Sequence, residues 1–135
     1  MLAALLAAGC GGDSDSKLDV ETAVESYFVA LSERDFTAAC GLVSPSFRAG
    51  LVKYAERAYP DLGSGECVAI AQRAAQAGGE TLVTAQRQVR VREVVVDGSE
   101  ATARLGPGQV ATLERIDGEW LIVRLDFRGA RGGSG

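Results

Sequence analysis

The sequence that decides the fold is residues 86–127, QRQVRVREVVVDGSEATARLGPGQVATLERIDGEWLIVRLDF. Runs rich in β-branched residues alternate there with short segments that favour tight turns. Asp97-Gly98 and Asp117-Gly118 are typical of two-residue hairpin turns, and Gly106-Pro107-Gly108 supplies a further turn between them. The pattern predicts an antiparallel meander of four strands, over residues 86–96, 101–105, 110–116 and 119–127.

In the first and last of these strands, the order of apolar and polar residues predicts which side chains lie on the same face of the sheet. In the first strand Val89 and Val91 alternate, but three valines in a row follow Glu93, which predicts a bulge or a bend near that residue. In the last strand, alternation predicts that Trp120 and Ile122 share one face. The opposite face then carries Leu121, Val123, Leu125 and Phe127.

The preceding part of the chain predicts four helices that can cover one face of this sheet. Apolar residues recur at helical spacing over residues 18–34, where Ser16 or Asp19 can cap the start. Asp35 is the predicted N-cap of a helix over residues 36–43, and Ser44 is the N-cap of a third helix that ends near residue 59. A fourth helix is predicted over residues 66–77, ended by two glycines. Helices followed by a meander predict the α+β class.

Length and charge exclude several function classes. The 135 residues suit one domain with one core. A formal net charge of −4 argues against non-specific nucleic-acid binding, which needs a basic face. The chain has no histidine, so Ser-His and Cys-His catalytic pairs and the usual nitrogen ligands of zinc are excluded. No metal or cofactor is predicted.

The N-terminus predicts export. The apolar run at residues 1–8 is too short to span a bilayer and is typical of a secretory signal. Small residues before Cys10 resemble the lipobox of bacterial lipoproteins, which implies that Cys10 is acylated after removal of residues 1–9. Residues 10–17 would then form a flexible tether and residues 129–135 a disordered tail. The alternative is a buried helix turn with an incidental cysteine.

The cysteine count agrees with this assignment. Three cysteines are an odd number for an exported protein. If Cys10 carries lipid, Cys40 and Cys67 remain, and a disulfide between them would connect the second helix to the fourth. Redox or metal-binding cysteines are the alternative, although neither residue lies in a Cys-x-x-Cys motif.

Two segments resemble the nuclear transport factor 2-like superfamily over about residues 18–127. They are YFVAL with RDF and AAC, from Tyr27 to Cys40, and the hairpin RIDGEWLI at residues 115–122. The resemblance implies a single domain over residues 18–128, in which helices pack on a curved four-stranded sheet and leave a conical pocket beside the first helix. The candidate pocket residues are Tyr27, Leu31, Phe36, Tyr54 and Glu114.

Three functions are compatible with this resemblance. The first hypothesis is a non-catalytic domain, anchored by lipid to the outer face of the bacterial cell membrane, that binds a small apolar ligand or a protein partner. The second is an isomerase or hydratase, because ketosteroid isomerases of this superfamily use a tyrosine at the position of Tyr27; the base would be Asp35 or Glu114. The third is a subunit that forms a homodimer through the outer sheet face, with Trp120, Ile122 and Val94 at the interface.

Overall fold

The computed structural model describes residues 12–62 and 65–127. Within these residues four α-helices precede a four-stranded antiparallel sheet, which confirms the α+β class. The helices are α1 (Gly12–Ser32), α2 (Phe36–Cys40), α3 (Pro45–Ala58) and α4 (Cys67–Arg87), with a 3-10 turn at Pro60–Leu62 before α4. The strands are β1 (Glu93–Asp97), β2 (Glu100–Gly106), β3 (Gln109–Ile116) and β4 (Glu119–Phe127). The predicted signal segment, Cys10 and the predicted disordered tail lie outside the described residues.

Helix α1 begins six residues earlier than its apolar pattern predicts. It starts at Gly12, so neither Ser16 nor Asp19 is its N-cap, and residues 12–17 of the predicted tether are helical. No glycine or proline interrupts residues 13–17, so nothing in that stretch opposes continuation of the helix toward the N-terminus. The chain is therefore already helical at Gly12, two residues after Cys10.

The caps of α2 and α3 are confirmed. The Asp35 carboxylate accepts a hydrogen bond from the Ala38 N–H at 3.2 Å, and the Ser44 hydroxyl accepts one from the Phe47 N–H at 3.0 Å. Pro45 occupies the first position of α3, where its missing N–H costs nothing. Helix α2 is shorter than predicted, because it ends at Cys40 and Gly41 is its C-cap.

Helix α4 is longer than predicted. The paired glycines produce a kink, with Gly79 at φ 58° and ψ −150°, but the helix resumes and continues to Arg87. That backbone conformation is essentially restricted to glycine. The helix resumes because Val83, only 7% exposed, buries its side chain beyond the kink. Consequently residues 86 and 87 are helical, and the prediction that the first strand begins at residue 86 is wrong.

The sheet has the order β1-β2-β3-β4, with each strand antiparallel to its neighbours, so the predicted meander is confirmed. The predicted break near Glu93 lies at the start of β1. The Arg92 N–H donates to the Arg104 carbonyl at 2.7 Å, while Glu93 also pairs with Arg104, so two residues lie opposite one. As a result Val91 and Val94 both pack against the core although they are three residues apart.

Strand β4 contains a second irregularity, which corrects the predicted faces. Thr112 of β3 pairs with Arg124, whereas Leu113 pairs with Ile122, so Val123 is an extra residue in β4. The extra residue reverses the alternation at that point. Trp120 and Ile122 therefore face the core, at 6% and 0% exposure, and beyond the bulge Leu125 also packs against it.

The core lies between α1 and the sheet. Val20, Val24 and Phe28 of α1 are buried in one cluster with Leu113 and Ile122 of the sheet. Small side chains on the central strands let the helix approach closely; Ala101, Ala103 and Ala111 are all buried. In the part of the chain that the structure describes, no helix is long and apolar enough to cross a membrane.

The predicted disulfide is present between Cys40 and Cys67, whose Cα atoms are 6.1 Å apart. It connects the last residue of α2 to the first residue of α4. Both cysteines are buried, so the bridge is part of the packed interior of the helical layer.

Candidate functional site

An apolar cavity of about 130 Å³ lies among the four helices. We call it the interhelical cavity. Helix α1 contributes Tyr27 and Leu31, α2 contributes Phe36, Ala39 and Cys40, and α3 contributes Leu51 and Tyr54. The rest of the wall comes from α4, with Cys67, Ile70, Ala71, Ala74, Ala75, Leu82 and Gln86.

The cavity exists because α4 presents small side chains where the other helices present large ones. Ala71, Ala74 and Ala75 recur at helical spacing and face Phe36, Leu31 and their neighbours across the space. The Cys40–Cys67 bridge forms part of the wall and holds α2 to the start of α4. Beyond the kink at Gly79, Leu82 and Gln86 complete the lining.

Four of the five candidate pocket residues line this one cavity. They are Tyr27, Leu31, Phe36 and Tyr54. Glu114 lies elsewhere: it is exposed on β3, where it pairs with Glu100 and Leu121. The alanines of α4 and the two cysteines were not predicted as lining residues, although the i, i+3, i+4 spacing of alanines was visible in the sequence.

The position of the cavity differs from the expectation of a cone between the first helix and the sheet. That space is filled, because Phe28 packs there with Leu113, Trp120 and Ile122. The open volume is on the other side of α1, toward α3 and α4.

None of the described residues that line the cavity has a charged side chain. Its polar groups are the hydroxyls of Tyr27 and Tyr54 and the side-chain amide of Gln86. Burial raises the pKa of Tyr27 to about 12, so its hydroxyl stays protonated across the physiological range. Its ring lies edge-on to those of Phe28 and Phe47, with centroids 5.1 and 6.5 Å away. These contacts fix the tyrosine as part of an aromatic wall.

The two proposed catalytic carboxylates, Asp35 and Glu114, do not line the cavity that Tyr27 lines. Asp35 is exposed and its carboxylate caps α2, and Glu114 belongs to the sheet. Neither lines the interhelical cavity. The arrangement that an isomerase of the predicted kind requires, with an acid or base facing Tyr27, is not formed by these two residues.

An aromatic and charged cluster adjoins the cavity at Tyr54, and we call it the rim cluster. It consists of Tyr54, Tyr59, Asp61 and Arg73. The rings of Tyr54 and Tyr59 meet edge-on at 6.0 Å, and the Arg73 guanidinium lies 4.9 Å from the centre of the Tyr59 ring. Arg73 Nε is 3.4 Å from Asp61 Oδ2. Burial and then the neighbouring Tyr54 raise the pKa of Tyr59, while Arg73 opposes the rise.

The residues predicted at a homodimer interface are on the wrong side of the sheet for that role. Trp120 and Ile122 are buried, and Val94 packs against the core, because the two bulges set the alternation. The outer face carries Val95 and Arg124 instead, at positions where β1 and β4 point away from the helices.

Within residues 12–62 and 65–127 there is no group of three or more histidine, cysteine or carboxylate side chains that could hold a metal ion. Comparisons with protein-family models, with curated proteins and with solved structures found no match to this chain. The site must therefore be interpreted from its own geometry.

Proposed function

We propose that this chain is an exported, lipid-anchored domain that binds a small apolar ligand in the interhelical cavity. The observation that carries the proposal is the cavity itself: about 130 Å³ of space lined almost entirely by apolar side chains. The fold of the domain would be the cone of nuclear transport factor 2-like proteins, in which helices pack against a four-stranded antiparallel sheet. The ligand space, however, lies among the helices.

The volume sets the size of the ligand. An apolar cavity of about 150 Å³ in another protein stays dry and binds benzene. Ligand sites for drug-sized molecules are larger, about 300 to 1,000 Å³. A cavity of about 130 Å³ therefore suits a group of roughly benzene size.

The chemistry of the lining supports binding rather than catalysis. A protonated Tyr27 hydroxyl can donate one hydrogen bond, and Gln86 can donate or accept, but neither is a base at neutral pH. Proton abstraction needs a group with a pKa near the working pH and within hydrogen-bond reach. The lining can therefore orient a ligand by hydrogen bonds, but it supplies no base that could abstract a proton from the ligand.

Two features support export and anchoring. The Cys40–Cys67 disulfide is typical of an oxidising compartment, and it leaves Cys10 as the unpaired cysteine of the three. Helix α1 begins at Gly12, so a lipid on Cys10 would hold the folded domain close to the membrane surface.

Filling the cavity tests ligand binding. We expect benzene to raise the melting temperature of the wild-type chain, because a ligand that binds only the native state stabilises it. Ala74→Leu places three additional carbons in the cavity and should weaken benzene binding at least tenfold. Differential scanning fluorimetry over a benzene titration measures both effects.

The matched control is Ala77→Leu, on the exposed face of the same helix. It introduces the same side chain at a similar helix propensity and should leave the benzene response unchanged. A wild-type chain that shows no response, or equal loss in both variants, would contradict the proposed function.

Replacing the acylated residue tests the anchor. The full chain expressed in a bacterial host with its own leader should partition into the membrane fraction, and mass spectrometry should find acyl groups on Cys10. Cys10→Ser should move most of the chain to the soluble fraction, because the lipid supplies the membrane affinity. A control variant, Cys40→Ala with Cys67→Ala, keeps Cys10 and should stay in the membrane; acylation absent from the wild type would refute the anchor.

A further inference from the structure

We infer that the ligand is a small amphipathic carboxylate, whose apolar group occupies the interhelical cavity and whose carboxylate binds Arg73 in the rim cluster. This inference rests on the proposed function, since it names the chemical class of ligand for the same cavity. It is carried by the contacts that connect Arg73 to the cavity wall.

Two connections place Arg73 next to the cavity. On α4 it stands three residues after Ile70, which lines the space, and residues three apart on a helix are surface neighbours. On α3, Tyr54 lines the cavity and its ring meets Tyr59, over which the Arg73 guanidinium lies at 4.9 Å. A ligand that leaves the cavity along Tyr54 therefore meets the rim cluster, whose cation is Arg73.

Most hydrogen-bond donors of Arg73 are available. Its polar contact is Asp61, through Nε alone and at a long distance of 3.4 Å. A guanidinium has five N–H donors, and the four on its terminal nitrogens make no hydrogen bond to a described residue. Those two nitrogens form the fork that binds a carboxylate through two parallel hydrogen bonds.

Arg73 is also held in place before a ligand arrives. Its side chain is 34% exposed, against 66% for Asp61, so the cation is the more enclosed member of the pair. The Tyr59 ring supports the guanidinium from one side by a cation–π contact. Preorganisation of this kind reduces the entropy lost when a ligand binds.

Asp61 fits the role of an exchangeable counter-ion. Exposed ion pairs contribute little stability, so a ligand carboxylate can compete with Asp61 for the guanidinium at small cost. The size of the cavity limits the apolar part to about one aromatic ring. An arylalkanoate with a short linker meets both requirements.

The test compares phenylpropanoate with phenylpropanol, which share a ring and a linker and differ in charge. Isothermal titration calorimetry on the full chain should show tighter binding of the carboxylate. Arg73→Gln should weaken the binding of phenylpropanoate about fivefold, which corresponds to the loss of one partly exposed charge pair. The affinity for phenylpropanol should change by no more than about twofold. Asp61→Asn should have the opposite effect and strengthen the binding of phenylpropanoate about twofold, because it removes the carboxylate that competes for Arg73.

Two controls separate the inference from the proposed function. Arg124→Gln removes a cation from the outer sheet face and should affect neither probe. Ala74→Leu should weaken the binding of both probes, because each places a ring in the cavity. If both probes bind equally and Arg73→Gln changes neither, the carboxylate assignment is wrong while cavity binding stands. If neither probe nor benzene binds the wild-type chain, the proposed function fails and the inference with it.

Discussion

Leu113→Ala is expected to lower the free energy of unfolding by about 3 to 5 kcal/mol. Leu113 is fully buried on β3, between Ala101 of β2 and Ile122 of β4, and it belongs to the cluster that α1 covers. Removing three carbons there loses their transfer free energy and leaves a cavity that rigid neighbours cannot close. Urea unfolding followed by circular dichroism measures the change as a shift in midpoint at constant slope.

The matched control is Leu18→Ala in α1, where the leucine is 60% exposed. The same atoms are removed from solvent-facing surface, so the free energy of unfolding should change by no more than about 0.5 kcal/mol. A loss at Leu113 below about 1 kcal/mol would show that the space between α1 and the sheet is not the tightly packed core described above. It would also reopen the conical pocket beside α1 as a ligand site.

Features encoded by a few adjacent residues could be predicted from the sequence. Asp117-Gly118 forms the turn between β3 and β4, and both residues have the positive φ that such a turn requires. The turn predicted at Asp97-Gly98 lies one residue later, at Gly98-Ser99, because Asp97 ends β1 and pairs with Glu100; Gly98 supplies its positive φ. The caps at Asp35 and Ser44 were identified in the same way, because a side-chain oxygen followed by a helical pattern is a local signal.

Features that depend on distant contacts could not be predicted. Two adjacent glycines normally end a helix, but Val83 gains enough burial beyond Gly79 for the helix to resume. The extra residue at Val123 is visible only when β4 is aligned with β3, and it decides which side of the sheet carries Trp120. In both cases tertiary packing overrides a local preference.

The cavity also has a part that could be predicted from the sequence and a part that could not. Tyr27 and Leu31 were identified as candidates because the first helix is amphipathic and the family resemblance places a pocket beside it. The location of that pocket could not be derived, because a cavity is whatever volume the packing of all elements leaves unfilled. The alanine spacing of α4 was readable, but it shows that one wall is recessed only when the helices opposite are known.

Reduction of the disulfide is expected to lower the free energy of unfolding by roughly 3 to 4 kcal/mol in the chain-entropy model. Cys40 and Cys67 are separated by 27 residues, so the bridge closes a loop that contains all of α3. Without it the unfolded chain gains conformational freedom. Urea unfolding of the same chain with and without a dithiol reductant measures the difference without changing any residue.

The variant Cys40→Ala with Cys67→Ala separates the bridge from other effects of the reductant. It retains Cys10 and should unfold at the same urea concentration with and without the dithiol. Because both cysteines line the interhelical cavity, the reduced wild-type chain should also bind benzene more weakly than the oxidised chain. A reductant effect of equal size in the double variant would show that stability depends on a thiol elsewhere. Unchanged benzene binding after reduction would show that helix packing alone, without the bridge, maintains the cavity wall.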